Sequence, residues 1–217
     1  DVIVPVFNAL EDVKYCLASI LSQDDGSLAR LILINDGSAQ DTRDWLNEFS
    51  QTHDQVRLFE HPVNQGYTQA VNTGLRASTA PVILILNSDT IVTRGWLDGL
   101  LRCLASDPRI GIVGPLSNAA TWQNVPDLYD ANHHFANNAL PAGMSPNDMA
   151  LVVAHASART YPATPFVNGF CFMLKREVMD AIGIMDQEHF PTGYGEENDY
   201  CIRAAKAGYQ LRIADDV

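Results

Sequence analysis

The first half of the chain alternates short apolar runs with longer segments in which apolar residues recur every three or four positions. The runs occupy residues 2–6, 31–34, 56–60, 82–86 and 110–113. An unbroken aliphatic run such as 82–86 is typical of a strand buried on both faces of a parallel sheet. The repeated alternation therefore predicts an α/β fold with right-handed crossovers between the strands.

Each predicted helix follows a strand by way of a short polar turn. The first helix is predicted over about residues 9–22, with Asn8 and Glu11 spaced as in a capping box. Ser38 and Asp41 follow the second strand, and their side chains are expected to cap the second helix. Two further helices are predicted around residues 70–75 and 97–104.

The second half of the chain begins irregularly. Residues 116–165 are rich in Asn, Ala, Pro and His, and a stretch of this kind in a compact domain is usually functional or mobile. A strand is predicted over residues 166–174, and a short helix over 176–182 that ends at Gly183.

Length and composition indicate a globular domain. The chain has 217 residues, 47% of them hydrophobic, which is enough for one domain with a sizeable core. We expect a single domain over residues 1–217, with halves at 1–114 and 115–217, cut from a longer chain. No apolar stretch approaches the roughly 20 residues that a membrane span needs, and no signal peptide is recognised.

Charge and cysteine content narrow the classes of function. A net charge of −12 argues against a nucleic-acid partner, and any phosphate-bearing ligand would need a cation or local hydrogen-bond donors. The cysteines are too widely spaced for a zinc or redox motif, so buried free thiols in a reducing cytoplasm are expected. They are Cys16, Cys103, Cys171 and Cys201.

Polar residues follow the central aliphatic run directly. Asn87, Ser88 and Asp89 stand at the carboxyl end of the strand, where open α/β sheets bind their ligands. A carboxylate there can hold a hard divalent cation that bridges diphosphate oxygens, although a helix-capping turn explains the same residues equally well. The glycine-rich dinucleotide fingerprint and the phosphate loop are both absent from the sequence.

A second polar cluster carries three acids in the first turn of a predicted helix. Glu196, Glu197 and Asp199 follow a loop in which glycines flank Tyr194. Acids in a first turn complement the helix dipole, and Asp199 can pair with Arg203. A carboxylate at the edge of such a loop can also act as a general base.

Together these motifs resemble the family 2 glycosyltransferases, and the resemblance covers essentially the whole chain. It implies the A-type glycosyltransferase fold, a Rossmann-like and mostly parallel sheet flanked by helices. The Asn-x-Asp-Thr pattern that ends at Thr90 is similar to that of the rhamnosyltransferase-like subgroup. The motifs that carry the resemblance are Pro5-Val6-Phe7-Asn8, Asn35-Asp36-Gly37-Ser38, Asn64-Gln65-Gly66 with Asn72 and Gly74, Asn87-Ser88-Asp89, Phe166-Val167-Asn168-Gly169, Gly183-Ile184-Met185-Asp186, and Glu196-Glu197 ahead of Asp199, Arg203 and Gly208.

The resemblance implies a nucleotide-sugar site in residues 1–114 and an acceptor side in 115–217. Pro5, Phe7 and Asp36 would hold the base, and Asp36 would accept a hydrogen bond from a ring N–H. The whole implied nucleotide site comprises Pro5, Val6, Phe7, Asn8, Asp36, Asn64, Gly66, Asn87, Ser88 and Asp89. The implied acceptor-side residues are Asn168, Gly169 and Asp186.

The resemblance also implies the chemistry. Asp89 would bind Mn²⁺ or Mg²⁺ against the leaving diphosphate, while Asn87 stands where the family has a better metal ligand. Glu197 would take the proton from an acceptor hydroxyl in a single inverting displacement, with Glu196 and Asp199 as alternative bases.

The implied reaction moves a sugar from a UDP or dTDP donor to a glycan or lipid-linked acceptor. Bacterial surface polysaccharide synthesis is the expected setting, in the cytoplasm and peripherally at the inner membrane face. Two alternatives remain open at this point. One is a non-catalytic nucleotide-sugar binding module, and the other is a sugar-phosphate nucleotidyltransferase, which usually carries a basic glycine-rich loop after its first strand.

Overall fold

A computed structural model describes residues 1–24 and 26–217. In this part of the chain the strands are β1 (Val2–Val6), β2 (Leu31–Asp36), β3 (Val56–His61), β4 (Val82–Leu86), β5 (Ile110–Pro115), β6 (Cys171–Lys175) and β7 (Gln210–Ala214). The helices are α1 (Leu10–Ser22), α2 (Gln40–Thr52), α3 (Tyr67–Ala77), α4 (Trp96–Ala105), α5 (Pro146–Ala156), α6 (Arg176–Ile182) and α7 (Glu196–Lys206).

The seven strands described form one sheet in the order β3-β2-β1-β4-β6-β5-β7. Strands β1 to β4 are mutually parallel, and β5 and β7 form a second parallel pair. Strand β6 runs antiparallel to both neighbours and lies between β4 and β5. A strand from the second half of the chain is therefore inserted between two strands of the first half.

Two apolar layers sandwich the sheet, because alternate residues of each strand face opposite sides. On β1, Val4 packs in the layer covered by α1, α2 and α4, while Ile3 packs in the layer covered by α3, α6 and α7. This arrangement is a mostly parallel α/β sandwich, which confirms the predicted fold class. The four cysteines are free and buried, as the sequence predicts.

The predicted helix caps are wrong. Helix α1 begins at Leu10 without a side-chain cap, and the Asn8 Oδ1 instead accepts a hydrogen bond from the Ala39 N–H at 2.7 Å. Helix α2 also lacks a side-chain cap, because the Ser38 hydroxyl accepts from the Asn8 N–H at 2.9 Å. Both polar side chains join the loops that follow β1 and β2.

The second half is more regular than its composition indicates. Helix α5 lies within residues 116–165 and begins with a capping box made by Ser145 and Asp148. The strand predicted from residue 166 begins only at Cys171, and β7 has no counterpart among the predicted strands.

Candidate active site

A pocket of about 450 Å³ opens where β1, β2 and β4 end. Asn8 is not part of its wall, because its side chain and backbone join the loops after β1 and β2. The other nine residues implied for the nucleotide site all line the pocket: Pro5, Val6, Phe7, Asp36, Asn64, Gly66, Asn87, Ser88 and Asp89.

Asp36 is 3% exposed, and hydrogen bonds engage both of its carboxylate oxygens. Its Oδ1 accepts from His61 Nδ1 at 2.7 Å and from the Gln65 N–H at 2.9 Å, while Oδ2 accepts from the Gly66 N–H at 2.9 Å. The resemblance implies that Asp36 binds the base, but its observed contacts hold the turn that leads into α3.

That turn approaches the neighbouring loops too closely for side chains. A Cβ on Gly37 would collide with the backbone of Val63 and Asn64, and a Cβ on Gly66 would collide with the Pro191 carbonyl. Both glycines also have positive φ, 71° and 93°, which other residues rarely adopt. These two glycines allow the pocket wall to close around Asp36.

Phe7 provides an exposed aromatic face in the wall of this pocket. Its side chain is 51% exposed, although it directly follows a fully buried strand. A partly exposed ring in a pocket can stack on a planar ligand such as a nucleobase.

Asp89 lies at the boundary between this pocket and a second cavity of about 670 Å³. It is exposed, and its carboxylate makes no hydrogen bond or ion pair with any described residue. No Lys, Arg or His appears among the described residues that line the two cavities. A phosphate group bound here would therefore meet Asp89 without a compensating cationic side chain.

These residues fit a divalent cation held jointly by protein and ligand. No group of three or more His, Cys, Asp and Glu side chains in the described parts of the chain could hold a metal by itself. Hard cations take oxygen ligands, and Mg²⁺ is commonly bound through one or two carboxylates together with substrate phosphates and water. Asp89 can supply the carboxylate, whereas Asn87 offers an amide.

The second cavity has mostly apolar walls with amide groups among them. It extends from the end of β4 to α5, the helix that lies in the segment predicted to be irregular. Its apolar residues include Ile91, Val92, Trp96, Leu116, Leu140, Met149, Val153 and Phe170, and its amide side chains are Asn87, Asn118, Asn137 and Asn168.

Tyr67, to which no sequence motif assigns a role, connects the two sides of the site. Its hydroxyl lies 3.1 Å from the Asn87 Oδ1 and 3.4 Å from the Gly169 carbonyl oxygen. Burial raises the pKa of Tyr67, and the negative charges of Glu196, Glu197 and Asp89 raise it further. A Cβ on Gly193 would lie 3.6 Å from the Tyr67 Cβ and 3.7 Å from the Glu196 Oε2, and Gly169 lies against Glu197, so Tyr67 joins both predicted polar clusters in a single site.

Glu196 is 4% exposed, and its Oε2 has no hydrogen-bond partner among the described residues. Burial raises the pKa of its carboxyl group, and the charge of Glu197 adds to this effect, while the N–H groups of Glu196 and Gly195 oppose it. The unpartnered oxygen lies near Gly193, 3.7 Å from the position that a Cβ there would take.

Glu197 is half-buried beside Gly169. A Cβ built on Gly169 would lie 3.7 Å from the Cβ and Cγ of Glu197, so this carboxylate lies next to the segment that the resemblance assigns to the acceptor. Its Oε2 accepts one hydrogen bond, from the Gly195 N–H at 3.2 Å. A carboxylate with a single weak partner keeps oxygens free to accept a proton.

The remaining candidates are engaged in local structure. Asp199 pairs with Arg203 at 2.7 Å, and the same guanidinium donates to the carbonyls of Ile182 and Ile184. Asp186 accepts from the N–H of His189 and from its ring at 2.7 Å, and these bonds lower the pKa of Asp186.

Asn168 is another residue that the resemblance assigns to the acceptor side. Its Oδ1 accepts from the Phe170 N–H at 3.2 Å, and the residue lines the second cavity. The structure thus brings Asn168 and Gly169 close to Glu197 and Asn87, whereas Asp186 organises a separate turn.

The sequence model of the family described as Glycosyl transferase family 2 matches residues 1–183 of this chain. The chain belongs to this family. The match covers every residue that lines the smaller pocket except Thr192, together with the Asn168-Gly169 segment, and it ends before α7 begins.

Curated relatives of this family 2 domain match nearly its full length. The pre-mycofactocin glycosyltransferase of Mycobacterium tuberculosis is 28% identical over 212 residues, which cover 97% of this chain and 40% of the relative. Glycosyltransferase AglE of Haloferax volcanii is 24% identical over 220 residues, covering 100% of this chain and 64% of AglE. The chain therefore spans less than two thirds of the length of these relatives.

Solved structures share the fold of this family 2 domain. GalNAc-T7 with UDP, GalNAc and Mn²⁺ superimposes with a TM-score of 0.75 at 18% identity, covering 99% of this chain and 41% of that one. The mannosyltransferase PcManGT of Pyrobaculum calidifontis, in complex with GDP-Man and Mn²⁺, superimposes with a TM-score of 0.68 at 21% identity. This superposition covers 98% of the present chain and 55% of the mannosyltransferase chain. Both likenesses support the A-type glycosyltransferase fold. Within the described residues, none of the helices has the length and apolar character needed to cross a membrane.

Proposed function

We propose that this family 2 domain is the catalytic domain of an inverting, metal-dependent glycosyltransferase. It transfers a sugar from a nucleotide-diphosphate donor to a hydroxyl group of a glycan or lipid-linked acceptor. The observation that carries the proposal is the position of Asp89, an exposed carboxylate shared by two cavities in whose walls the described residues offer no cationic side chain.

The smaller pocket takes the nucleotide in this proposal. Phe7 offers its exposed ring to the base, and the turn that Asp36 holds presents Asn64 and Gly66 along the wall. UDP and dTDP are the proposed nucleotides. GDP joins the set to be tested, because the related mannosyltransferase structure contains GDP-Man.

Asp89 is the proposed protein ligand of a divalent cation, Mn²⁺ or Mg²⁺. When bound, such an ion neutralises the charge that develops on the leaving diphosphate. The structural relatives with bound Mn²⁺ support this assignment. Asp89 lies on the boundary between the cavities, so it can hold the diphosphate end of the donor facing the acceptor side.

Glu197 is the proposed general base. It lies beside Gly169, and its carboxylate retains free acceptor positions, so it can take the proton of an acceptor hydroxyl as that oxygen attacks the anomeric carbon. Attack from the face opposite the diphosphate inverts the anomeric centre. Asp199 is a weaker candidate because Arg203 already engages it, and Glu196 is a weaker candidate because it is buried.

The larger cavity takes the acceptor. Its apolar wall and neutral amides suit a sugar ring with an apolar neighbouring group better than a polyanion. We further propose hexosyl or rhamnosyl transfer in bacterial surface polysaccharide synthesis, with the domain in the cytoplasm and peripheral to the inner membrane.

Calorimetric titration tests the donor site directly. UDP, dTDP and GDP are each titrated with and without Mn²⁺ into the wild-type protein and into Asp89→Ala. We expect one nucleotide to bind only with Mn²⁺, and we expect the variant to lose at least about tenfold in affinity because the carboxylate ligand is gone. Asp54→Ala is the matched control, since Asp54 is also exposed but precedes β3 at the other end of the sheet.

Two outcomes contradict the proposal. Failure of all three nucleotides to bind the wild-type protein rules out the donor site. Metal-dependent binding without transfer by the full-length protein, to water or to any acceptor, would instead favour the non-catalytic binding module.

A further inference from the structure

We infer that Tyr67 fixes the side-chain amide of Asn87 so that its Nδ2 donates a hydrogen bond to the diphosphate of the donor. The inference rests on the proposed function and assigns a role to the residue at the first position of the metal motif. Asn87 then serves as a hydrogen-bond donor to the ligand, while Asp89 alone binds the cation.

The Tyr67 hydroxyl determines which way the Asn87 amide faces. Tyr67 is half-buried, and the single proton of its hydroxyl has its shorter contact with the Asn87 Oδ1, at 3.1 Å, and its longer contact with the Gly169 carbonyl, at 3.4 Å. A hydroxyl that donates to an amide must face the oxygen of that amide, so the NH₂ group is directed away from the phenol.

The rest of Asn87 is also held in place. Its backbone N–H donates to the Phe170 carbonyl at 2.8 Å, and its carbonyl accepts from the Thr90 N–H at 3.2 Å and from the Cys16 thiol at 3.6 Å. Of the polar atoms of Asn87, Nδ2 is the one without a partner among the described residues. The residue lines both cavities, so this free donor is available to a ligand.

Local charge explains why an amide suits this position. Asp89 lines both cavities, Glu196 and Glu197 add negative charge that acts on Tyr67, and no Lys, Arg or His among the described residues lines either cavity. An aspartate at position 87 would add a further negative charge beside the diphosphate. An asparagine adds a donor instead, and its two-residue spacing from Asp89 lets one diphosphate reach both side chains.

The test compares ligands that differ only in the diphosphate. UDP, GDP and dTDP are titrated with Mn²⁺ by calorimetry, and uridine, guanosine and thymidine are titrated by NMR. The proteins are wild type, Asn87→Ala, Asn87→Asp, Tyr67→Phe and the double variant, with Tyr15→Phe as the control because Tyr15 is 64% exposed on α1 and lines neither cavity. Thermal melting verifies that each variant folds.

The variants are expected to lose affinity for nucleoside diphosphates but not for nucleosides. Asn87→Ala and Asn87→Asp should lower the affinity for the nucleoside diphosphate by about tenfold or more, which is the effect of one hydrogen bond to a charged group. Nucleoside affinity should change less than about twofold. Tyr67→Phe should lower the affinity for the nucleoside diphosphate by about threefold in the wild-type background. It should not lower that affinity in the Asn87→Ala background, because Tyr67 acts through Asn87.

Three results would overturn the inference while leaving the donor site intact. They are diphosphate binding by Asn87→Asp as tight as wild type or tighter, equal losses for nucleosides and diphosphates, and a Tyr67→Phe effect that persists without Asn87. The first would identify position 87 as a metal ligand. Absence of any nucleotide binding by the wild-type protein would instead overturn the proposed function itself.

Discussion

Two regions of the site bury carboxylates in opposite ways. In the wall of the smaller pocket, three hydrogen bonds engage both oxygens of Asp36, which is 3% exposed. In the first turn of α7, Glu196 is 4% exposed but leaves Oε2 without a partner in the described structure, and Glu197 has one weak bond. Similar burial therefore accompanies very different degrees of hydrogen bonding.

This difference distinguishes a carboxylate that holds the surrounding structure from carboxylates that remain available for a reaction. Buried polar groups are nearly always hydrogen-bonded, and an ionised group that is fully bonded stabilises the geometry around it. A buried carboxyl oxygen without a partner costs free energy, and such strain is concentrated at functional sites. We therefore interpret Asp36 as holding the wall of the smaller pocket, and the first turn of α7 as the region that carries the proposed base.

The largest effect should come from Glu197→Gln. Removing a general base typically lowers a rate by about 10²- to 10⁴-fold, and the amide cannot take the acceptor proton. Nucleotide affinity with Mn²⁺ should change little, because Glu197 does not line the donor pocket. The measurement is nucleotide release by the full-length protein, using a donor whose nucleotide binds in the titrations.

Glu196→Gln and Glu197→Asp provide the matched comparison. Glu197→Asp keeps a carboxylate and should retain more activity than Glu197→Gln, since only its reach is shortened. If Glu197→Gln turns over at the wild-type rate while Glu196→Gln is inactive, the base has been assigned to the wrong residue.

The next effect in size should be the loss of stability in Asp36→Ala. The substitution leaves His61 and the N–H groups of Gln65 and Gly66 without their acceptor, and breaking a buried charge network of this kind costs about 3–5 kcal/mol. Urea denaturation measures the change, with Asp54→Ala as the exposed control. A loss below about 1 kcal/mol for Asp36→Ala would contradict its framework role.

The contrast between the two regions could be predicted only in part from the sequence. Apolar runs located β1, β2, β4 and β5, with Pro5 interrupting the first and Gly111 the last, because strands buried on both faces are rich in apolar residues along their whole length. The same rule placed Asp36 and Asp89 at the carboxyl edge of the sheet. It could not reveal that the bonds of Asp36 are satisfied, since those bonds come from turns 25 to 30 residues away.

Long-range contacts explain why the roles of Tyr67 and Asn8 could not be predicted from the sequence. Tyr67 followed a recognised turn, but its partners Asn87 and Gly169 lie 20 and 102 residues along the chain. The predicted cap at Asn8 failed for the same reason, because Ala39, 31 residues away, engages its side chain. Helix α5 was missed because its apolar residues form one continuous run at 149–154, without the three-to-four-residue spacing that marks an amphipathic helix.

A smaller effect is expected from Glu196→Gln, and it should depend on pH. Burial raises the pKa of Glu196 in the folded protein, so the folded state binds this proton more tightly than the unfolded chain does. The wild type therefore loses stability as pH rises from the ordinary glutamate pKa through the raised value, and remains at the lower level above it.

The variant has no proton to lose at this position. Its unfolding free energy should match that of the wild type near pH 4 and exceed it by about 1 kcal/mol at pH 8, the size of one relieved polar burial. Urea denaturation across this range provides the measurement. If the unfolding free energies of the wild type and Glu196→Gln change in parallel with pH, burial does not perturb the carboxyl group of Glu196.

The smallest effect should come from Asp199→Asn, in the same turn as Glu196 and Glu197. Asp199 is satisfied like Asp36 but is 30% exposed, and pairs of this kind four residues apart contribute about 0.3–0.5 kcal/mol. Asp98→Asn is the matched control, because Asp98 pairs with Arg102 at the same spacing on α4 but is 62% exposed. We expect Asp199→Asn to cost slightly more, since Arg203 also joins α7 to the carbonyls of Ile182 and Ile184. A hundredfold loss of transfer in Asp199→Asn, with stability intact, would instead make Asp199 the base and remove the distinction between satisfied and unpartnered carboxylates.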